Sequence, residues 1–455
     1  MVLQTSSLAF EVRRYKPELV APANPTPHEF KLLSDIDDQK GLRYHIPLVQ
    51  FYRCKPQMAG KDPVQLIREA LAKTLVFYYP LAGRLREGPS GKLMVDCNGE
   101  GVMFIEADAD VTLEMFGNIF LPPLPCFDEL LYNVPGSDGV IDCPLLLIQV
   151  TRLKCGGFIF ALRMNHTMSD GSGISQFLKA LSEIACGAPK PSILPVWRRE
   201  LLCARDPPRV TCIHQEYQQI PPDSKSIFKP HHRSFFFGPK EIASIRELLP
   251  HQQVSQPTSF DVLTSFLWRC RTIALQWQNP DQEVRLLCIV NARYGRCKFN
   301  PPLPEGFYGN AFVFPAAVTT VGKLCGRPLG YALELVKKAK DEATEEYVHS
   351  VADLMVTKGR PCFTTLGSFM VSDLTKAAFR DVNFGWGKAV YAGLAKGGLG
   401  NIPGVSFYLP FTNSKGEQGR VVPICLPVDA MERFEKELDD TFKIKKDTMI
   451  LMSNL

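Results

Sequence analysis

His166 and Asp170 stand four residues apart where an apolar run ends and a helix-forming run begins. An imidazole in such a place can take and return a proton near neutral pH, and the nearby carboxylate can orient it or serve elsewhere. The spacing alone is weak. Eight histidines, each facing about a 5% chance of an acid at a given offset, would yield such a pair by accident fairly often. Placement carries the argument. Residues 158–162 are apolar and strand-forming, and after Asp170 the residues Ile174, Phe177, Leu178, Leu181, Ile184 and Ala185 recur at helical spacing, with Gly187 beyond the end. His166 is therefore expected at the carboxyl end of a strand. The plainer reading is a histidine satisfied by local hydrogen bonds at a turn.

Other elements frame this turn. Asp62-Pro63 reads as a helix start, with Val64, Ile67, Leu71 and Leu75 following at helical spacing. Residues 92–97 and 102–105 read as strands around Asn98-Gly99, and residues 145–153 should pair with 158–162 across Cys155-Gly156-Gly157. Between 189 and 230 the chain turns rich in proline, arginine and short polar pieces, which predicts a crossover linker. Beyond it, residues 233–237 form a strand, and a helix starts at Thr258 or Ser259 and carries Phe260, Leu263, Phe266 and Leu267. The predicted organisation is 1–188, a linker over 189–230, and 231–455.

Composition excludes several classes. With 455 residues, 45% hydrophobic and 22% charged, the chain can build two substantial cores. A net charge of +5 without a basic block argues against nucleic acid. Met1 to Phe10 lacks a basic, apolar leader and no run of about 18 apolar residues occurs, so a cytoplasmic protein without a membrane span is expected. Ser453-Asn454-Leu455 matches the peroxisomal Ser-Lys-Leu tail at two of three positions, which keeps that compartment open. The 14 cysteines are scattered with no Cys-x-x-Cys, so neither a metal nor a disulfide framework is expected. Serine-hydrolase elbows and phosphate loops are absent, and Gly397-Gly398-Leu399-Gly400 fails dinucleotide spacing, leaving a surface loop or a wall of a ligand path.

Four segments occur together and in order: Tyr79-Pro80-Leu81-Ala82-Gly83-Arg84, the run from His166 to Gly171, Asn291-Ala292-Arg293, and Asn383-Phe384-Gly385-Trp386-Gly387. Together they resemble the plant BAHD acyltransferases almost end to end. Leu33 to Gln39 and Asn165-His166-Thr167-Met168 resemble the alcohol acyltransferases of the benzyl alcohol O-benzoyltransferase type within that family. The resemblance implies an α/β, two-domain fold like chloramphenicol acetyltransferase, each domain a mixed β-sheet flanked by helices, with a channel between them and His166 midway along it. It implies acyl-CoA as co-substrate, an alcohol acceptor, no permanently bound cofactor, no metal, and a monomer.

On that reading His166 is the general base for both proton transfers, without a covalent intermediate. Asp170 and Arg293 are expected to form a structural ion pair directed away from it. Position 383 departs from the family's usual aspartate. Asn383 cannot neutralise an arginine, and Asp381, two residues earlier on an expected extended segment, is a candidate to supply part of the missing charge. Gly385 and Gly387 flank Trp386, which is either a packed aromatic at a bend or an indole donor to the reaction's oxyanion. The resemblance favours benzoyl-CoA with benzyl alcohol, giving benzyl benzoate. Acetyl-CoA or another acyl-CoA yielding volatile esters, a thioesterase, and a non-catalytic coenzyme A or small-ligand binding protein are the alternatives.

Overall fold

The structure, a computed structural model, describes residues 2–3, 8–117, 120–124, 127–218, 231–250, 257–394, 404–413 and 415–453. Gly397 to Gly400, residues 219–230 of the expected linker, and the last two residues lie outside them.

Two seven-stranded mixed sheets carry the chain. In the first, Tyr391–Gly393, His45–Tyr52, Phe158–Asn165, Leu146–Leu153, Val102–Ala109 and Val12–Arg14 lie side by side, and Glu18–Val20 also pairs with Val102–Ala109. Its pairings are antiparallel except Val102–Ala109 against Leu146–Leu153. The second runs Val2–Leu3, His231–Phe237, Gln418–Leu426, Val405–Thr412, Ser368–Asp373, Glu283–Cys288, Ala316–Thr320, and Ser368–Asp373 is parallel to both neighbours. Two strands cross the expected boundary. Val2–Leu3 joins the second sheet, and Tyr391–Gly393 joins the first, where Phe379, Val382, Phe384 and Trp386 also enter the core.

Local chemistry explains the elements that hold the site. The helix Pro63–Phe77 starts where Asp62 accepts from the Val64 amide at 3.1 Å, with proline in its first turn. It packs its buried face, including Ile67, Leu71 and Leu75, against the helix Gly171–Ala185, which contributes Phe177, Leu178 and Leu181. The hairpin into the histidine strand pairs Phe158 with Arg152, and Gly156 at the turn has φ 77°, a conformation glycine adopts without strain. In the second half, Thr258 and Asp261 cap the helix Ser259–Ala274 reciprocally.

One predicted pairing is corrected. Leu93–Asp96 and Val102–Ala109 are both strands, yet they do not form a hairpin: the former lies in a separate three-stranded sheet with Phe30–Leu32 and Arg84–Glu87. Buried Arg84 donates to the carbonyls of Gly83 and Gly101, both at 2.8 Å, and this tie redirects the chain between the two sheets. No helix among the described residues is long and apolar enough to cross a membrane. Every described cysteine is free, and no group of metal-ligating side chains occurs among the described residues.

Candidate active site

The strand Phe158–Asn165 delivers His166 to the junction of the two halves. Its amide donates to the Tyr44 carbonyl at 2.7 Å, and its own carbonyl accepts from the Asn310 side-chain amide at 2.6 Å. The imidazole is half-buried between two rings, Tyr44 edge-on at 5.4 Å and Phe312 at 5.8 Å between centroids. Nδ1 is sealed from solvent without a hydrogen-bond partner. Burial pushes the pKa of His166 below its ordinary value, outweighing the smaller opposing pull of Asp170, so the ring is neutral at physiological pH.

Asp170 does not orient the imidazole. It caps the helix Gly171–Ala185: one carboxylate oxygen accepts from the amides of Ser172 and Gly173, both at 3.0 Å. The other accepts from Arg293 Nη1 at 2.6 Å and the Ala311 amide at 3.0 Å. Burial alone would raise its pKa, but Arg293 and these donors overcome that and hold the carboxyl below its usual range. Arg293 is completed by the Gly309 carbonyl at 2.6 Å, and Asn291 receives the Arg293 amide at 2.8 Å while donating to Ser172. The helix start has no room for a side chain at Gly173, where a Cβ would lie 2.0 Å from the Tyr308 carbonyl oxygen.

A second buried cluster lies on the other side of the histidine turn, and the chemistry-bearing motifs did not single it out. Asp37 Oδ1 receives Arg199 at 2.7 Å and the Asn310 backbone and side-chain amides at 2.9 and 2.8 Å. Arg199 also donates to the Met168 carbonyl at 2.7 Å and lies over the rings of Trp197 and Tyr308. All three side chains are buried. Arg199 thus ties the predicted linker into the site. Asn310 bonds the His166 carbonyl, and its Oδ1 is buried without a partner, as is the Nδ1 of His166. A hydrogen bond between these two orphans would place the proton on Nδ1 and leave Nε2 as acceptor.

The Asn383 motif lies elsewhere. Trp386 packs edge-on against Phe158, 5.2 Å between ring centroids. Phe158 begins the strand whose far end leads to His166, seven residues or about 23 Å along it. Trp386, a candidate with Gly385 and Gly387 for the oxyanion or the channel, is buried in the first core, and the glycines shape its turn. Asn383 Oδ1 accepts from the amides of Gly385 and Gly387 at 2.9 and 2.8 Å, and both glycines have positive φ. Asp381 does not compensate for Asn383. It closes the 3₁₀ turn Ala378–Asp381, not an extended segment, and pairs with exposed Lys388 at 2.7 Å.

A profile of the Transferase family matches residues 10–441. The chain belongs to this family, the BAHD acyltransferases. It is 66% identical over 458 residues to 13-hydroxylupanine O-tigloyltransferase of Lupinus albus, covering 100% of both chains. It is 64% identical over 445 residues to benzyl alcohol O-benzoyltransferase of Petunia hybrida, covering 97% of this chain and 95% of the relative. The fold is that of vinorine synthase, at TM-score 0.71 and 20% identity over 93% of this chain and 96% of that one. TRI101 of F. sporotrichioides, solved with coenzyme A and T-2, shares it at TM-score 0.67 and 17% identity over 90% and 97%. The expected two-domain acyltransferase architecture with mixed sheets holds, and the protein is an acyltransferase acting on alcohol oxygen.

Proposed function

We propose that this enzyme transfers an acyl group from acyl-CoA to an alcohol, with benzoyl-CoA and benzyl alcohol giving benzyl benzoate as the favoured pair, and that His166 is its general base. The observation that carries the reading is His166 itself: neutral, half-buried, held by its backbone from both sides, and free of any carboxylate partner. The thioester needs no more. A thiol of ordinary pKa about 8.5 leaves far more readily than an alkoxide, so one base suffices. Nε2 accepts the alcohol proton as the oxygen attacks the carbonyl carbon, and the proton then passes to the departing sulfur, a contribution of about 10²- to 10⁴-fold. Asp170, Arg293, Asp37 and Asn310 act as the frame that fixes the histidine turn.

The benzoyl preference rests on the 64% identity to a benzoyltransferase; the 66% identity to a tigloyltransferase favours a second reading in which other acyl groups are accepted. Apolar pockets separate acyl groups by only about 1–3 kcal/mol per methylene, so several donors should react. We take one chain as the working unit, since both sheets that flank His166 come from it. The test is product identification by mass spectrometry, with wild type and His166→Ala incubated with benzoyl-CoA or acetyl-CoA and a panel of alcohols. Ester from the wild type alone supports the reading. Free acid in place of ester, or coenzyme binding without product, overturns it.

A further inference from the structure

The attack on a thioester carbonyl creates an oxyanion, and a donor must meet it. Trp386 packs at the other end of the histidine strand, and several backbone amides around His166 are committed. His166 donates to the Tyr44 carbonyl, Thr167 to the Asn165 side chain, Met168 to the Asn165 carbonyl, Asn310 to Asp37 and Ala311 to Asp170. Arg293 is consumed by Asp170 and Gly309. Two rings flank the imidazole, and Phe312 has no polar atom. Tyr44 has one. Its hydroxyl has no hydrogen-bond partner among the described residues, and the residue is only partly buried.

We propose that the Tyr44 hydroxyl donates the hydrogen bond that stabilises the oxyanion beside His166, a role that rests on the acyltransferase reading above. In the attack step the alcohol oxygen bonds to the carbonyl carbon, the carbonyl π pair moves to oxygen, and the alcohol proton goes to His166 Nε2. The phenol keeps its proton and shares it with the oxyanion. On collapse the π bond re-forms, the carbon–sulfur bond breaks with its electron pair on sulfur, and His166 returns the proton to give the free thiol. Geometry supports this division of labour. The Tyr44 carbonyl anchors the His166 amide and the Tyr44 ring meets the imidazole edge-on, so one residue both positions the base and brings a phenol to its side. Burial raises the phenol's pKa, so it stays a neutral donor across the working range.

Two other clusters carry no comparable site. His214 bridges Ser350 Oγ at 2.8 Å and Glu216 at 3.1 Å in the arrangement of a serine triad. Ser350 is fully buried and its oxygen already accepts from the amides of Thr211 and Cys212, so this is a pin between linker and helix Glu345–Thr357. In the surface cleft lined by Tyr15, Arg68 and Arg152, the Arg152 guanidinium is spent on Asp62, Glu106 and Asp108.

The test is Tyr44→Phe, which keeps the ring and removes the donor, assayed with benzoyl-CoA and benzyl alcohol beside wild type and His166→Ala. We expect kcat to fall by about 10²-fold, the loss typical of one oxyanion donor, with KM for both substrates and the acid limb of the pH profile unchanged. If the variant melts early, the single-turnover rate of its folded fraction is compared, where a missing donor still slows acyl transfer. An unchanged kcat, or a change confined to KM, overturns the assignment while leaving the acyltransferase intact. A wild type that forms no ester overturns the functional reading, and the Tyr44 role with it.

Discussion

Asp170→Ala separates a frame residue from a catalytic partner, and its cost follows from the bonds it removes. The carboxylate caps a helix, and losing a cap costs about 0.5–2 kcal/mol. It also neutralises Arg293, whose side chain is only 11% exposed, and a buried charge left without its partner costs about 3–5 kcal/mol. Together these come to about 3.5–7 kcal/mol, a large part of the roughly 5–15 kcal/mol that keeps a protein folded. At about 2–4 °C per kcal/mol, the melting temperature should fall by on the order of 10 °C or more. Arg293→Ala should cost a similar amount and the double variant less than the sum, because both remove one interaction. The linkage has a definite sign. Asp170 is held below its ordinary carboxylate range, so its contribution is complete above about pH 3.9 and is lost as pH falls through the lower folded value. The variant should lack that acid-dependent loss. The assay is thermal melting across pH beside steady-state ester formation on the folded fraction. An Asp170→Ala protein that melts like wild type but is as inactive as His166→Ala would refute the structural assignment.

Three further perturbations follow from the same geometry. His166→Ala should retain its melting temperature and lose about 10²- to 10⁴-fold in kcat. In the wild type, burial depresses the imidazole pKa, so kcat/KM measured against pH should be flat above about 6.5 and decline only as pH falls through the lower folded value; an acid limb above 6.5 would contradict this. Asn310→Ala removes donors to Asp37 and to the His166 carbonyl, which should cost about 1–3 kcal/mol in a melt, and it should move the acid limb if Asn310 also fixes the tautomer. Asn383→Asp keeps an oxygen for the Gly385 and Gly387 amides, and Asp381→Asn removes only a surface pair, so both should stay within about 0.5 kcal/mol of wild type with unchanged rate.

Legibility in the sequence followed the reach of local physics. The strand before His166, the helices after Asp62 and Asp170, and the capped helix after Thr258 are periodic, and their starts use short-range hydrogen bonds that composition reveals. The hairpin expected at Asn98-Gly99 failed because Arg84, distant in sequence, binds Gly101 from within the core. Asp381 failed for a related reason: the i, i+2 rule needs extended backbone, and the segment is a 3₁₀ turn. Asn310 and Arg199 carried no local signal as site residues. Arg199 sat inside a stretch that read as linker, with only the neighbouring Trp197 to hint at burial, and its partners lie 162 and 31 residues away.

If His166 is the base as proposed, the frame explains why a lone histidine serves better. Asp170 lies four residues away and Asp37 shares Asn310 with the histidine, yet both carboxylates are saturated by N–H donors from other groups. A carboxylate turned toward the ring at about 4 Å would favour imidazolium by about 4 kcal/mol at an effective dielectric of 20, about three pK units. That shift would protonate the base at neutral pH and remove its ability to accept the alcohol proton. By committing its acids to Arg293, Arg199 and backbone amides, the fold keeps strong charges for holding the turn and leaves the ring neutral. The buried ion pairs are therefore coupled to catalysis through the protonation state they avoid imposing. Turning either carboxylate back toward His166 should slow the enzyme even with every group of the reaction in place.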